Sequence, residues 1–264
     1  MGFRRLNGVL LHWVESGPDD APLLVFSNSL GSDLRIWDEV TTALEGRWRV
    51  LRYDSRGHGL SDAPPGPYAI DALADDLLAL LDARDSDRFA LVGLSVGGLI
   101  AQAVAARRPE RLAALVLCDT APKIGGADLW NARITAVETD GLEAIADGIM
   151  ARWFTPGFFE REAEAAAGWR NMLLRTPAAG YAGTCAALRD ADLSATAASL
   201  RVPTLCLVGD ADLSTPPEMV RWTAETIPGA RFETIAEAGH LPCIEQPAAT
   251  AALIARHLTE VGFV

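Results

Sequence analysis

The stretch FALVGLSVGGLIAQAVAARRP, residues 89–109, holds one serine among glycines where an apolar run gives way to a helical pattern. Phe89 to Val92 have the continuous apolar character of a buried strand. From Leu99 onward, alanines and Leu, Ile and Val, followed by Arg107, Arg108 and Pro109, read as a helix with its stop signal. Two roles are open to Ser95. Serine is a favoured N-cap residue, so it could simply close the first turn of that helix. But Gly93-Leu94-Ser95-Val96-Gly97 is also a G-x-S-x-G set between strand and helix, the context of a nucleophile elbow. A turn that tight strains the serine backbone and needs neighbours without Cβ atoms. It also aims the free N–H groups of the helix at any oxyanion formed there.

Working outward, the first 120 residues alternate between strand-like and helix-like segments. VLLHWVES (9–16) alternates like a half-exposed edge strand, and PLLVFSNS (22–29) and RVLRYD (49–54) are short apolar runs ending in polar turns. Leu34, Ile36, Trp37, Val40 and Leu44 make a rough apolar stripe, and Ile70 to Leu81 form a second amphipathic pattern. ALVGLS and LAALVLCDT are fully apolar, which in strands separated by helices implies a parallel sheet covered on both faces. From Ala121 to Ala187 the chain turns helical and aromatic, and PTLCLVGDADLSTPPE (203–218) then resumes the strand-turn-helix rhythm. The expected architecture is therefore an α/β fold with a mostly parallel central sheet of about eight strands flanked by helices. Residues 1–120 and 188–264 form its core, and residues 121–187 are inserted as a helical cap.

Half of the 264 residues are hydrophobic, which excludes disorder, and the net charge of −12 repels nucleic acid and anionic lipid. The N-terminal stretch lacks the apolar run of a signal peptide, and no segment nears the roughly 18 apolar residues of a membrane span. Cys118, Cys185, Cys206 and Cys243 form no CxxC pair and none lies beside a histidine at ligand spacing, so no structural metal is expected. Together these features point to a cytoplasmic protein with reduced thiols and no nucleic-acid or membrane partner. They leave its oligomeric state, monomer or homodimer, open.

A serine nucleophile needs a base, and there are four histidines. His12 falls in the first alternating strand, His257 on the expected wet face of the C-terminal helix, and His58 in a glycine turn, DSRGHGLSD, suited to bracing loops. His240 follows the last strand through EAGH and emerges at the carboxyl end of the sheet, the rim that carries Ser95. The orienting acid should precede it on the neighbouring strand end. There Asp210 abuts the strand and suits a brace, whereas Asp212 has reach toward His240. The chain order Ser95, Asp212, His240 is Ser…Asp…His. The oxyanion hole should combine the backbone N–H of Val96 with one from the loop after LLVFS, where Asn28-Ser29-Leu30-Gly31 offers Leu30.

These residues resemble the α/β-hydrolase superfamily along essentially the whole chain. SNSLGSDLRIWD (27–38) is similar to the oxyanion stretch of the 3-oxoadipate enol-lactonase family of aromatic-acid degradation, as are ARWFTPGF (151–158) and YAGTCAALRDADL (181–193). YDSRGHGLSDAP (53–64) is common to the superfamily. The resemblance implies hydrolysis of an anionic lactone through an acyl-enzyme, without metal or organic cofactor. An anion bound by an acidic protein calls for a local cation. Arg133 shares a helix face with Trp130 and Val137 and could fork a carboxylate or merely cover apolar surface. Arg189 is the alternative, with Asp190 and Asp192 close enough to neutralise it, and Trp153 is expected to line the pocket or pack within the cap. Cys243 is a wall residue at most. Ser95 excludes a dehalogenase built on an aspartate nucleophile. The same triad would also serve another carboxylesterase or a perhydrolase or haloperoxidase, and the scaffold could hold a small-molecule receptor with no turnover.

Overall fold

The computed structural model describes residues 1–84 and 87–264. Its strands are β1 (Gly2–Leu6), β2 (Val9–Ser16), β3 (Leu23–Ser27), β4 (Arg49–Tyr53), β5 (Phe89–Leu94), β6 (Leu112–Cys118), β7 (Thr204–Gly209) and β8 (Arg231–Ile235). They form one sheet in the order β1-β2-β4-β3-β5-β6-β7-β8. β1 and β2, and β2 and β4, pair antiparallel; every other pair is parallel. Burial follows position. β3, β5, β6 and β7 are buried at every residue, which is why they read as unbroken apolar runs, while β1 at one edge is mostly exposed. GFRRL gives β1 almost no apolar pattern, so it was not expected as a strand. A two-residue turn, Asn7-Gly8 with φ of 49° and 79°, folds it onto β2 with Leu6 facing Val9.

Leu34–Trp37 form a 3₁₀ turn whose entry is capped by the Asp33 carboxylate, which accepts the Arg35 N–H, and α1 (Asp38–Thr42) follows. α2 (Ile70–Asp82) and α3 (Val96–Arg107) are both among the helices read from the sequence. Between β6 and β7 run α4 (Ala127–Asp140), α5 (Glu143–Trp153), α6 (Pro156–Arg161), α7 (Ala163–Leu174), α8 (Ala178–Asp190) and α9 (Ser194–Ser199). The helical segment thus continues beyond residue 187, because α8 and α9 complete it before β7 begins. α10 (Pro217–Thr226), α11 (Pro242–Glu245) and α12 (Pro247–Glu260) finish the chain. α2, α3, α9 and α10 contact one another in series, and α1, α11 and α12 make a second group, as helices on two faces of a sheet do.

The connection from β3 runs to β4 on one side, and the connection from β5 runs to β6 on the other. The gap between these adjacent strands is the switch point of the sheet, where the two outgoing loops part and leave a crevice. Ser29 and Leu30 leave β3 there, and Ser95 leaves β5. Among the described residues, no helix is long and apolar enough to cross a membrane.

Candidate active site

Ser95 stands at the N-cap position of α3 with φ 58° and ψ −120°, and its side chain makes no capping hydrogen bond. The capping role therefore fails. A non-glycine residue in that conformation costs about 1–3 kcal/mol and persists only when its surroundings hold it. Here the Ser95 N–H donates to the Cys118 carbonyl (3.0 Å), and its own carbonyl accepts from Thr120 Oγ1 (2.7 Å) and the Gly98 N–H (2.8 Å). The glycines are needed for close approach. A Cβ on Gly93 would sit 2.3 Å from the Gly97 carbonyl oxygen, and one on Gly97 would sit 2.4 Å from that of Ser27.

His240 and Asp212 arrive on the loops after β8 and β7. His240 Nδ1 lies 2.8 Å from Asp212 Oδ2, and both side chains are buried. Asp212 also accepts from Thr215 Oγ1 (2.6 Å) and from the backbone N–H groups of Ser214 (2.7 Å) and Thr215 (3.1 Å). Burial pushes this carboxyl up, but His240, Thr215 and the Ser214 N–H outweigh it and hold it below the ordinary carboxylate range. Asp210 takes the bracing role: it accepts the Ala238 N–H at 3.2 Å.

Ser95 and His240 line one narrow cavity of about 50 Å³, together with Ser29, Leu30, Trp130, Arg133, Arg152 and Trp153. Among the described residues the Ser95 hydroxyl has no hydrogen-bond partner, His240 included. Nor does any protein group accept the N–H of Leu30 or of Val96. The cavity thus joins a free hydroxyl, an imidazole oriented by a carboxylate and, at Leu30, a residue whose backbone N–H has no acceptor; Val96 follows Ser95 in the chain but is not among the lining residues. Larger cavities lie elsewhere and exclude Ser95. One of about 430 Å³ is lined in part by Cys243, which therefore stands outside the serine cavity, and one of about 300 Å³ is lined by His12 and Asp54.

The other histidines are structural. His58 Nε2 accepts the Gly31 N–H (3.0 Å) and braces the loop that carries Leu30; burial holds its pKa down. His12 Nδ1 pairs with Asp54 Oδ2 at 2.7 Å. His257 is buried, not on a wet face, with Nε2 3.4 Å from the Pro203 carbonyl, because α12 turns it toward the sheet.

Arg133 lines the cavity. Its guanidinium lies 5.3 Å from the centre of the Trp130 ring with Nη1 3.5 Å from the Tyr181 hydroxyl, and among the described residues no carboxylate pairs with it. Trp153 both lines the cavity and packs edge-on against Phe154, and its carbonyl accepts the Leu241 N–H beside His240. Arg189 is corrected: it is not part of the cavity wall, because Asp190 takes it in two hydrogen bonds of 2.7 and 2.8 Å and Asn131 takes a third. Two residues escaped the sequence reading. Arg152 lines the cavity and donates to the Leu213 carbonyl (3.0 Å), and its signal was its place beside Trp153. Asp119, at the end of β6, lies beside Asp212; an acid on a core strand's carboxyl end was the available sign.

Asp119, Asp212 and His240 bring one oxygen or nitrogen each within 4.8 Å of one another, as a metal seat would. The donor set argues for a proton relay instead. The Asp212 oxygens already accept four hydrogen bonds from the protein, two of them within 2.7 Å, so protein donors and not an ion position this carboxylate.

Residues 22–247 match the α/β hydrolase fold family. Over 241 residues the chain is 38% identical to 3-oxoadipate enol-lactonase 2 of Acinetobacter baylyi, covering 91% of this chain and 90% of that protein. The crystal structure of the enol-lactonase from Burkholderia xenovorans LB400 superposes with a TM-score of 0.95 at 40% identity, over 98% of this chain and 100% of that one. A thermophilic esterase from Thermogutta terrifontis, solved with malate bound, gives 0.90 at 31% identity, over 96% and 94%. The chain is a hydrolytic enzyme and belongs to the α/β-hydrolase fold family.

Proposed function

We propose that Ser95, His240 and Asp212 form a catalytic triad that opens the lactone ring of 3-oxoadipate enol-lactone, giving 3-oxoadipate. The observation that carries this reading is a strained Ser95, free of any capping bond, sharing one cavity with a His240 already bound to Asp212. The enol-lactonase relatives supply the substrate class.

In the first step Ser95 Oγ bonds to the lactone carbonyl carbon while His240 Nε2 takes the hydroxyl proton. Asp212 holds Nδ1–H and stabilises the imidazolium. The N–H groups of Leu30 and Val96 receive the developing oxyanion; one such donor contributes on the order of 3 kcal/mol. When the ring C–O bond breaks, the leaving enolate takes the proton from the His240 imidazolium and ketonises, which makes opening effectively irreversible and returns His240 to its neutral form. Water, deprotonated by His240, then attacks the acyl-serine, and Ser95 recovers its proton. Every group in this cycle is a side chain or backbone amide.

Arg133, free of carboxylate partners, receives the carboxylate arm of the substrate, with Arg152 at the same wall and Trp130 and Trp153 closing the apolar sides. The cavity that these side chains line is narrow, about 50 Å³. The helices between β6 and β7 act as its cap, and the enzyme works as a cytoplasmic catalyst of aromatic-acid breakdown.

The test couples muconolactone isomerase, which makes the unstable lactone, to this protein and follows loss of ring absorbance. Rapid loss that vanishes with Ser95→Ala supports the reading. Turnover of neutral esters with none of the lactone would leave an esterase of other specificity, and a single slow turnover of p-nitrophenyl acetate would leave a receptor.

A further inference from the structure

Asp119 has no place in the triad, yet it is fully buried and held in a strained conformation, φ 47°. Its own N–H donates to the Leu207 carbonyl (2.8 Å), and its Oδ1 accepts the Gly209 N–H (2.9 Å), so β7 fixes its position. Its Oδ2 is buried and has no donor among the described residues. That carboxyl lies within 4.8 Å of both Asp212 and His240.

Two carboxylates this close and this dry cannot both carry charge cheaply. Hydrogen bonds decide which does. Asp212 accepts four; Asp119 accepts one. The charge therefore belongs to Asp212, and the proton to Asp119. Burial first, and the Asp212 charge second, push the Asp119 carboxyl well above its ordinary range. The remaining neighbours add no cation: Cys118 and Cys243 are buried thiols pushed up by their surroundings, and Glu245 is engaged by the Gly239 N–H (2.6 Å) and Thr155 Oγ1 (2.6 Å).

We propose that Asp119 is a positioning residue kept as a neutral carboxylic acid, donating its O–H to the Asp212 carboxylate behind His240. The orphaned Oδ2 then has an acceptor, and His240 faces one negative charge instead of two. That difference matters, because a second charge would stabilise the imidazolium and leave less free base at neutral pH. Asp119 reaches the chemistry only through Asp212 and touches no substrate. The effect on turnover rests on the triad reading above, but the protonation state does not.

The experiment pairs infrared difference spectroscopy of the resting enzyme at pH 7 with the pH profile of kcat/KM on p-nitrophenyl acetate. The expected result is a carboxylic-acid C=O band that Asp119→Asn removes, while its acid limb stays in place, since the amide keeps a neutral donor and tolerates the positive φ. Asp119→Leu, if it folds, removes the donor and should move the acid limb up by about half a unit or more. Absence of the band, its survival in Asp119→Asn, or a downward move of the limb in that variant would overturn the proposal, as would an unmoved limb in a folded Asp119→Leu enzyme. Because the infrared reading needs no turnover and the profile needs no lactone, failure of the lactone assignment leaves this test standing.

Discussion

Among the described residues, two buried histidine–aspartate pairs stand on this fold, His240 with Asp212 at 2.8 Å and His12 with Asp54 at 2.7 Å, and by distance they cannot be told apart. Their surroundings separate them. His12 sits inside β2, stacked 4.8 Å from Phe3, and its Nε2 is buried with no partner. Asp54 spends its other capacity on the backbone N–H groups of Leu34 and Leu60, both at 2.9 Å, tying loops to the edge of the sheet. The cavity beside that pair is larger, about 300 Å³, but no serine or cysteine lines it. His240 stands on a loop at the switch-point rim, where its ring shares a cavity with a strained hydroxyl. A coupled imidazole and carboxylate is thus a common structural brace. Catalysis requires the third group, placed by the elbow.

The sharpest way to break this comparison is to disable each pair in turn. Ser95→Ala or His240→Ala should lower kcat on the lactone by about 10⁴–10⁶-fold, and Asp212→Asn by about 10⁴-fold, measured by loss of ring absorbance. The matching change on the other pair, His12→Gln, should leave kcat within about twofold and instead cost about 1–3 kcal/mol of stability in urea unfolding, because Asp54 loses a buried donor. Equal losses of kcat from both pairs would erase the distinction. A smaller effect tests the proposed anion preference: Arg133→Ala should raise KM for the lactone by about tenfold, with a much smaller change for a neutral ester. Equal changes would remove its role. The smallest effect belongs to Arg189→Ala, whose guanidinium is taken by Asp190; KM should move by less than about twofold.

The contrast also explains what could be read from the chain alone. The central strands were legible because burial on both faces leaves only apolar residues, and the Ser95 turn because its glycines answer a steric demand visible in sequence. His240 and Asp212 followed from topology, since both lie just after strand ends on one rim. β1 was not legible: an exposed edge strand such as GFRRL has no face to keep apolar. His257 was misplaced because alternating small residues in PAATAALIARHLTE blur which face of α12 is buried. Arg189 stood as the alternative to Arg133, and although it directly follows the cavity-lining Leu188, its charge is decided by the adjacent Asp190. Asp119 carried one local sign, an acid at the carboxyl end of a core strand, but its neighbour Asp212 lies on the loop after β7, far away in sequence.

The most direct measurement is covalent labelling of the proposed nucleophile, Ser95. An organophosphonate should add once per chain, on the peptide carrying Ser95 by mass spectrometry, and lactone turnover should fall in proportion to labelling. A label found on another residue, or turnover that survives complete modification of Ser95, would contradict the account.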